Sequence, residues 1–270
     1  MIKDITIGQY FAGNSIIHRL DPRTKMVLSM GLVVLLFLVR NPFGFAVCSV
    51  FILALYLMSG VPLKMLLKSL KPIIWIVAFT TVLNIFMVEG EPLVQFWIFT
   101  ITREGVKISI QVTVRIILLI AATSLLTYTT TPILLTDAIE SLFSPLKKLR
   151  FPVHELAMMM TIALRFIPTL IEETDKIMSA QKSRGSDFES GSFVRRVKAL
   201  VPILIPLFVS AFRRADELAL AMESRCYNGG TGRTKMKKLR FSLKDLGAVF
   251  AVVLLLGAII GLNLWEIVWL

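Results

Sequence analysis

Apolar residues run along this chain in long uncharged blocks rather than at the three-and-four spacing of an amphipathic soluble helix. A bilayer core of ~30 Å takes about 20 helical residues, and five blocks reach or approach that length. Met26–Val39 lies between Lys25 and Arg40 and is short unless its flanks snorkel. Phe43–Ser59 is opened by Asn41-Pro42 and closed by Gly60, and Pro72–Val88 starts at a proline suited to the first position of a helix. Ile108–Thr130 is interrupted by Arg115. Leu246–Trp265 comes last, with Trp265 and Trp269 placed like an interfacial belt. The pattern predicts an all-α polytopic membrane protein with about five transmembrane helices. Its expected parts are an N-terminal segment (1–25), helices one to four (26–131), a region of long cytoplasmic or interfacial helices (132–244) and a last span (245–270).

Charge sets the expected orientation. The N-terminal segment carries Lys3, Arg19, Arg23 and Lys25, and the loop after the second block carries Lys64, Lys68 and Lys71. The segment from Ile133 to Lys244 holds 19 Lys and Arg. The other connections offer only Arg40, or Arg103 and Lys107 offset by Glu89, Glu91 and Glu104. The bias of Lys and Arg toward the inner side therefore places the N-terminus, the second loop and the long region in the cytoplasm of a multi-pass cell-membrane protein, with the C-terminus outside. The first apolar run begins only near Met26 and no small-residue cleavage site follows it, so no cleavable signal is expected.

The 270 residues are 56% hydrophobic with a mean hydropathy of +0.75, which excludes a soluble enzyme, a disulfide scaffold and a disordered tail. The net charge of +12 sits in segments flanking the apolar blocks, so it points to the lipid bilayer and not to nucleic acid. Cys48 and Cys226 are too far apart to suggest a metal pair, and Cys48 reads as a buried thiol.

The long fourth connection is the unusual part, because about 110 residues are far more than two helices need between them. Two breaks, Gly185–Ser192 and Tyr227–Arg233, divide it into a short helix near Ile133–Phe143 and two long ones, roughly Glu155–Arg184 and Phe193–Arg225. Each long helix opens with an apolar half containing proline: Pro168 in one, Pro202 and Pro206 in the other. Each then turns charged, through Glu172, Glu173, Asp175 and Lys176 or through Arg213, Arg214, Asp216 and Glu217. Each ends in a small residue, an arginine and a small residue, Ser183-Arg184-Gly185 and Ser224-Arg225-Cys226, with the arginines 41 positions apart. Arg165 and the prolines argue against counting the apolar halves as further spans. Helices at the membrane surface, or packed on a partner's membrane helix, fit better.

No catalytic constellation emerges. His18 and His154 have no partner at metal-ligand spacing, so no metal or cofactor is expected. Glu172-Glu173 is similar to the paired glutamates of intramembrane CAAX-type proteases, but the arginine of that family would fall at Ile177. Gly229–Thr234 misses a phosphate-binding loop, because Tyr227 and Arg233 stand where glycine and lysine are needed. Any nucleotide chemistry belongs to a partner. Arg115, inside an apolar block, reads either as a functional group or as a side chain that snorkels or pairs.

Two readings of the arginine tips stand at this point. Arginine in a last turn complements the helix dipole by ~0.3–1 kcal/mol and glycine just beyond supplies a left-handed turn, which is sufficient reason for a plain cap. Yet the motif recurs, both copies fall on the cytoplasmic side, and Cys226 replaces the glycine a cap prefers. A guanidinium held at a helix tip also suits a bidentate grip on a partner's carboxylate.

At these residues the chain resembles the EcfT family, the transmembrane coupling subunits of energy-coupling factor transporters, with the CbiQ proteins as relatives. The matching stretches are His18–Lys25, Ala163–Pro168 and Arg213–Glu223, besides the two tips, and the similarity covers essentially the whole chain. The resemblance implies that Ser183, Arg184, Gly185, Ser224, Arg225 and Cys226 dock into two ABC-type ATPases. It implies also that the long helices hold a membrane-embedded S component by apolar contact, with Met158 to Met160 in that surface. The function so implied is a non-catalytic scaffold that transmits ATPase motion for uptake of a vitamin or other micronutrient. Family members more often carry Ala-Arg-Gly tips, so Cys226 is the larger departure. The alternative from the residues alone is a polytopic membrane enzyme acting on lipid or isoprenoid, with Arg115, His154 and Glu155 in a pocket. An electrochemically driven transporter fits less well, since the apolar blocks hold almost no acidic groups.

Overall fold

The computed structural model describes residues 9–96, 99–186, 192–229 and 239–269. Its elements are α1 Pro22–Leu38, α2 Pro42–Ser59, α3 Leu63–Leu70, α4 Ile74–Met87, β1 Pro92–Phe96, β2 Phe99–Thr102, α5 Arg103–Thr129, α6 Pro132–Leu142, a 3-10 turn Ser144–Leu149, α7 Val153–Ser183, α8 Phe193–Glu223 and α9 Leu243–Trp269. The expected all-α architecture forms. Helices α2, α5, α7 and α9 are long and apolar enough to cross a membrane, and α3 with α4 adds a fifth if that bent pair is one span. The 17 residues of α1 reach only about 26 Å at 1.5 Å per residue. The side chains of Trp265 and Trp269 lie outside the described residues.

Two local expectations need correcting. Pro72 does not open a helix: it sits in the turn between α3 and α4, which meet at 61°. A proline has no N–H to continue the ladder of α3, so that helix, formed by a segment the sequence suggested as a loop, ends there and α4 starts two residues later. The connection before α5 also holds an antiparallel hairpin, β1 to β2, with Gln95 opposite Thr100 and Phe96 opposite Phe99.

The described residues divide into two compact units, one within 9–138 and 239–269, the other within 139–229. In the first, α1, α2, α5 and α9 share an apolar core that includes Leu35, Leu36, Cys48, Tyr56, Leu125 and Ile259. Tyr56 buries its ring and still donates its hydroxyl to the Ala121 carbonyl at 3.0 Å, which removes the cost of an unpaired polar atom. Tyr128 donates likewise to the Met65 carbonyl at 3.0 Å and meets the Ser69 hydroxyl.

Polar side chains close this unit at both ends of α1. At the start, the Asp21 carboxylate caps α1 by accepting from the Arg23 N–H at 2.9 Å, with Pro22 at the first helical position. The Asp245 carboxylate accepts from the Asp21 and Ser242 N–H groups at 2.8 and 2.7 Å, which ties the entry of α9 to that of α1. Lys25 is buried, and its ammonium donates to the His18 and Thr129 carbonyls and to Thr130 Oγ1, at 3.1, 2.9 and 3.3 Å. Its three protons thereby bind the preceding segment and the end of α5 to α1.

At the other end, the last carbonyls of α1 have no partner within the helix. Asn263 of α9 donates to Leu38 O and Arg115 of α5 to Val39 O, both at 2.9 Å, and Gln111 donates to Arg40 O at 3.1 Å. Asn41 returns a hydrogen bond to Leu262 O at 2.9 Å. Of the two readings of Arg115, pairing is the one the structure carries: the guanidinium caps a helix end and lies 5.3 Å from the Phe45 ring centre.

Lys25→Met strands two carbonyls and costs about 3 kcal/mol, at the upper end for buried groups left without a partner. Thermal unfolding in detergent should report it as a lower midpoint. Arg115→Leu should lower the midpoint as well, and Arg115→Lys, which keeps a charged donor, should lower it less.

Candidate functional site

Helices α7 and α8 each run for 31 residues in the second unit. Helix α7 starts beside the hydrogen bond between His154 Nδ1 and the Glu140 carboxylate at 3.0 Å and carries Pro168 within it, while α8 carries Pro202 and Pro206. The two are packed antiparallel. Glu173 of α7 meets Arg214 of α8 at 3.1 Å, and Gln181, farther along α7, reaches back to the Pro202 carbonyl at 3.5 Å. Near the start of α7, Met158 and Ile162 face Leu218 and Met222 across a cleft of about 440 Å³ that also takes in Arg225, Cys226 and Tyr227. The tips therefore stand at opposite ends of the pair.

Both tips close in the same way. At the first, the Gly185 N–H donates to Lys182 O at 3.0 Å and the Ser186 N–H to Gln181 O at 3.0 Å. At the second, the Cys226 N–H donates to Glu223 O at 2.9 Å and the Tyr227 N–H to Met222 O at 3.0 Å. This paired pattern is a Schellman turn, which satisfies the last carbonyls from within the chain and needs a left-handed residue just past the cap. Gly185 has φ +85° and Cys226 φ +56°. Cysteine thus adopts the conformation for which glycine is favoured, and the substitution leaves the turn type unchanged.

Arg184 and Arg225 occupy the equivalent cap position, and all six tip residues are exposed. The serine hydroxyls fold back onto their own helices, Ser183 to Ser179 O and Ser224 to Ala221 O, both at 3.1 Å. Neither guanidinium makes an ion pair among the described residues. What the arrangement offers is two exposed, planar, five-donor groups at the ends of 31-residue helices, a form suited to carboxylates of a partner.

Other residues singled out from sequence have local roles. His18 is held by the Ser15 hydroxyl at 2.7 Å and the Phe11 carbonyl at 2.9 Å. His154 is paired with Glu140, Glu155 is exposed, and Arg115 belongs to the other unit, engaged by Val39. Of Gly229–Thr234 only Gly229 lies among the described residues, in a left-handed turn at φ +79°. No group of three or more potential metal ligands occurs among the described residues. The Glu173–Arg214 contact was missed from sequence; the 41-residue offset between the tips also relates these two positions, but it points to a contact only where the helices are antiparallel.

Residues 13–237 match the family model CbiQ, described as cobalt transport protein. The chain is 55% identical over 246 residues to the energy-coupling factor transporter transmembrane protein EcfT of Ruminiclostridium cellulolyticum, covering 91% of this chain and 92% of that one. To the protein of the same name from Thermosediminibacter oceani it is 53% identical over 265 residues, 98% of this chain and 100% of the relative. The Bacillus subtilis protein of that name is 50% identical over 256 residues, 94% and 97% of the two chains.

Since a left-handed turn costs a side chain ~1–2 kcal/mol, Gly185→Val should loosen the first tip by about that amount. Cys226→Gly should tighten the second. Hydrogen exchange at the Ser186 and Tyr227 amides, which close the two turns, reads both changes.

Proposed function

The chain belongs to the EcfT family, the transmembrane proteins of energy-coupling factor transporters, and on that premise we propose that it couples two ABC-type ATPases to a membrane-embedded S component for uptake of a vitamin or other micronutrient. It is a multi-pass membrane protein and a subunit of a transporter complex. In this reading the N-terminus and the α7–α8 pair lie on the cytoplasmic side, where Lys and Arg are concentrated.

The observation that carries the proposal is the pair of exposed arginines, each set on the same left-handed cap and each at a different end of one helical pair. A plain cap needs no arginine, because the turn already satisfies the carbonyls; the guanidinium is left over for a partner. Two tips facing apart suit two ATPases. Domain closure driven by ATP then displaces the tips, and the stiff helices pass the motion to the S component. The apolar roots supply a surface for it: Met159, Leu204, Ile205 and Phe208 are all exposed, and methionine adapts to varied partners. The chain itself performs no catalysis in this scheme, and hydrolysis belongs to the ATPases.

A charged bidentate contact contributes about 2 kcal/mol, so Arg184→Ala or Arg225→Ala alone should weaken ATPase retention about thirty-fold. The double variant should retain no ATPase during co-purification with ABC ATPases of the same organism, and uptake should stop. Retention by the double variant at the wild-type level would remove the docking role.

A further inference from the structure

Aligned at an offset of 41 residues, the charged halves of α7 and α8 match Asp175 with Asp216, Ala180 with Ala221, Ser183 with Ser224 and Arg184 with Arg225. In an antiparallel pair, corresponding positions diverge along the helices and meet only where a local two-fold axis crosses. Glu173 and Arg214 correspond under this offset, and they meet at 3.1 Å. Arg184 lies eleven residues beyond Glu173, and Arg225 eleven beyond Arg214. At 1.5 Å per residue, each tip stands about 16 Å from the contact along its own helix, in opposite directions.

We propose that the Glu173–Arg214 ion pair is the central pin of the two arms, holding their register so that both docking tips stay equidistant from the crossing. This rests on the docking reading of the tips. The pair is about one third exposed on each side, 34% for Arg214 and 28% for Glu173, so its contribution to stability is small. Its contribution is positional. A slide of one helical turn brings Ser210 or Leu218 opposite Glu173 and leaves both charges without a partner. Apolar packing adds to the hold without fixing it by charge: Ile203 of α8 is buried, Met158 and Ile162 face Leu218 and Met222, Gln181 to Pro202 O is a long, exposed contact, and the buried residues Val153 and Ala157 lie at the far start of α7. The charges also differ in sign across the offset, with Glu172-Glu173 on one arm and Arg213-Arg214 on the other, so the crossing sets opposite charges against each other. Rotation about the pin moves both tips through equal arcs, and sliding moves them unequally relative to any fixed partner.

The test measures the tip-to-tip distance by double electron–electron resonance, in the full chain in lipid nanodiscs. One label sits on exposed Cys226 and one at Ser186→Cys, in a Cys48→Ala background. The wild-type register should give a narrow distribution. Glu173→Arg and Arg214→Glu, each alone, should broaden it or shift it by about one turn, 5.4 Å, and the double reversal should restore it. Glu173→Gln, with no added repulsion, should broaden it less. Distributions unchanged in the single reversals, or unrestored in the double reversal, would overturn the pin. ATPase recovery, scored on the same variants, separates the two ideas: absence of ATPase from the wild-type preparation removes the docking role, and the distances still decide the pin.

Discussion

The ammonium of Lys25 is buried among helix ends, and every one of its protons has an oxygen to go to. The contact states the main constraint on this chain. A helix leaves its terminal N–H and C=O groups unpaired, and in lipid no water is available to take them. The unit built on α1, α2, α5 and α9 resolves this with side chains reaching across from neighbouring helices. Lys25 and Asp245 do so at the start of α1, and Arg115, Gln111 and Asn263 at its end. The polar residues that look costly inside apolar blocks are therefore what lets those blocks pack.

The α7–α8 pair solves the same problem in the opposite way. Its helix ends are closed by backbone turns within the chain, through the left-handed residues Gly185 and Cys226. A self-contained cap asks nothing of its surroundings. It can stand exposed at the tip of a long helix and leave its arginine free for the docking proposed above. Helix ends that borrow neighbours tie a unit together, and helix ends that close themselves can stand alone.

Much of the fold was legible because long apolar blocks and charged flanks are strong signals. The ends of α7 and α8 were legible too, since glycine and small residues after a charged turn mark a stop. The break at Pro72 was not, because a proline at a helix start and one between two helices read alike until the preceding Leu63–Leu70 run is seen to be helical. Arg115 was ambiguous for a different reason: its acceptor, the Val39 carbonyl, lies 76 positions away and is a backbone atom that no side-chain motif marks. The β1–β2 hairpin is too short to stand out beside apolar spans. The Glu173–Arg214 contact lay hidden in an offset visible in the tips, which becomes meaningful only once the helices are known to run antiparallel.

The most direct measurement is an electron cryo-microscopy map of the chain assembled with the ATPases and S component proposed for it. The account predicts the Arg184 guanidinium within hydrogen-bond distance of a carboxylate on one ATPase, and the Arg225 guanidinium in the matching place on the other. A map in which either arginine points into solvent or lipid headgroups, while the ATPases are held elsewhere, would contradict it.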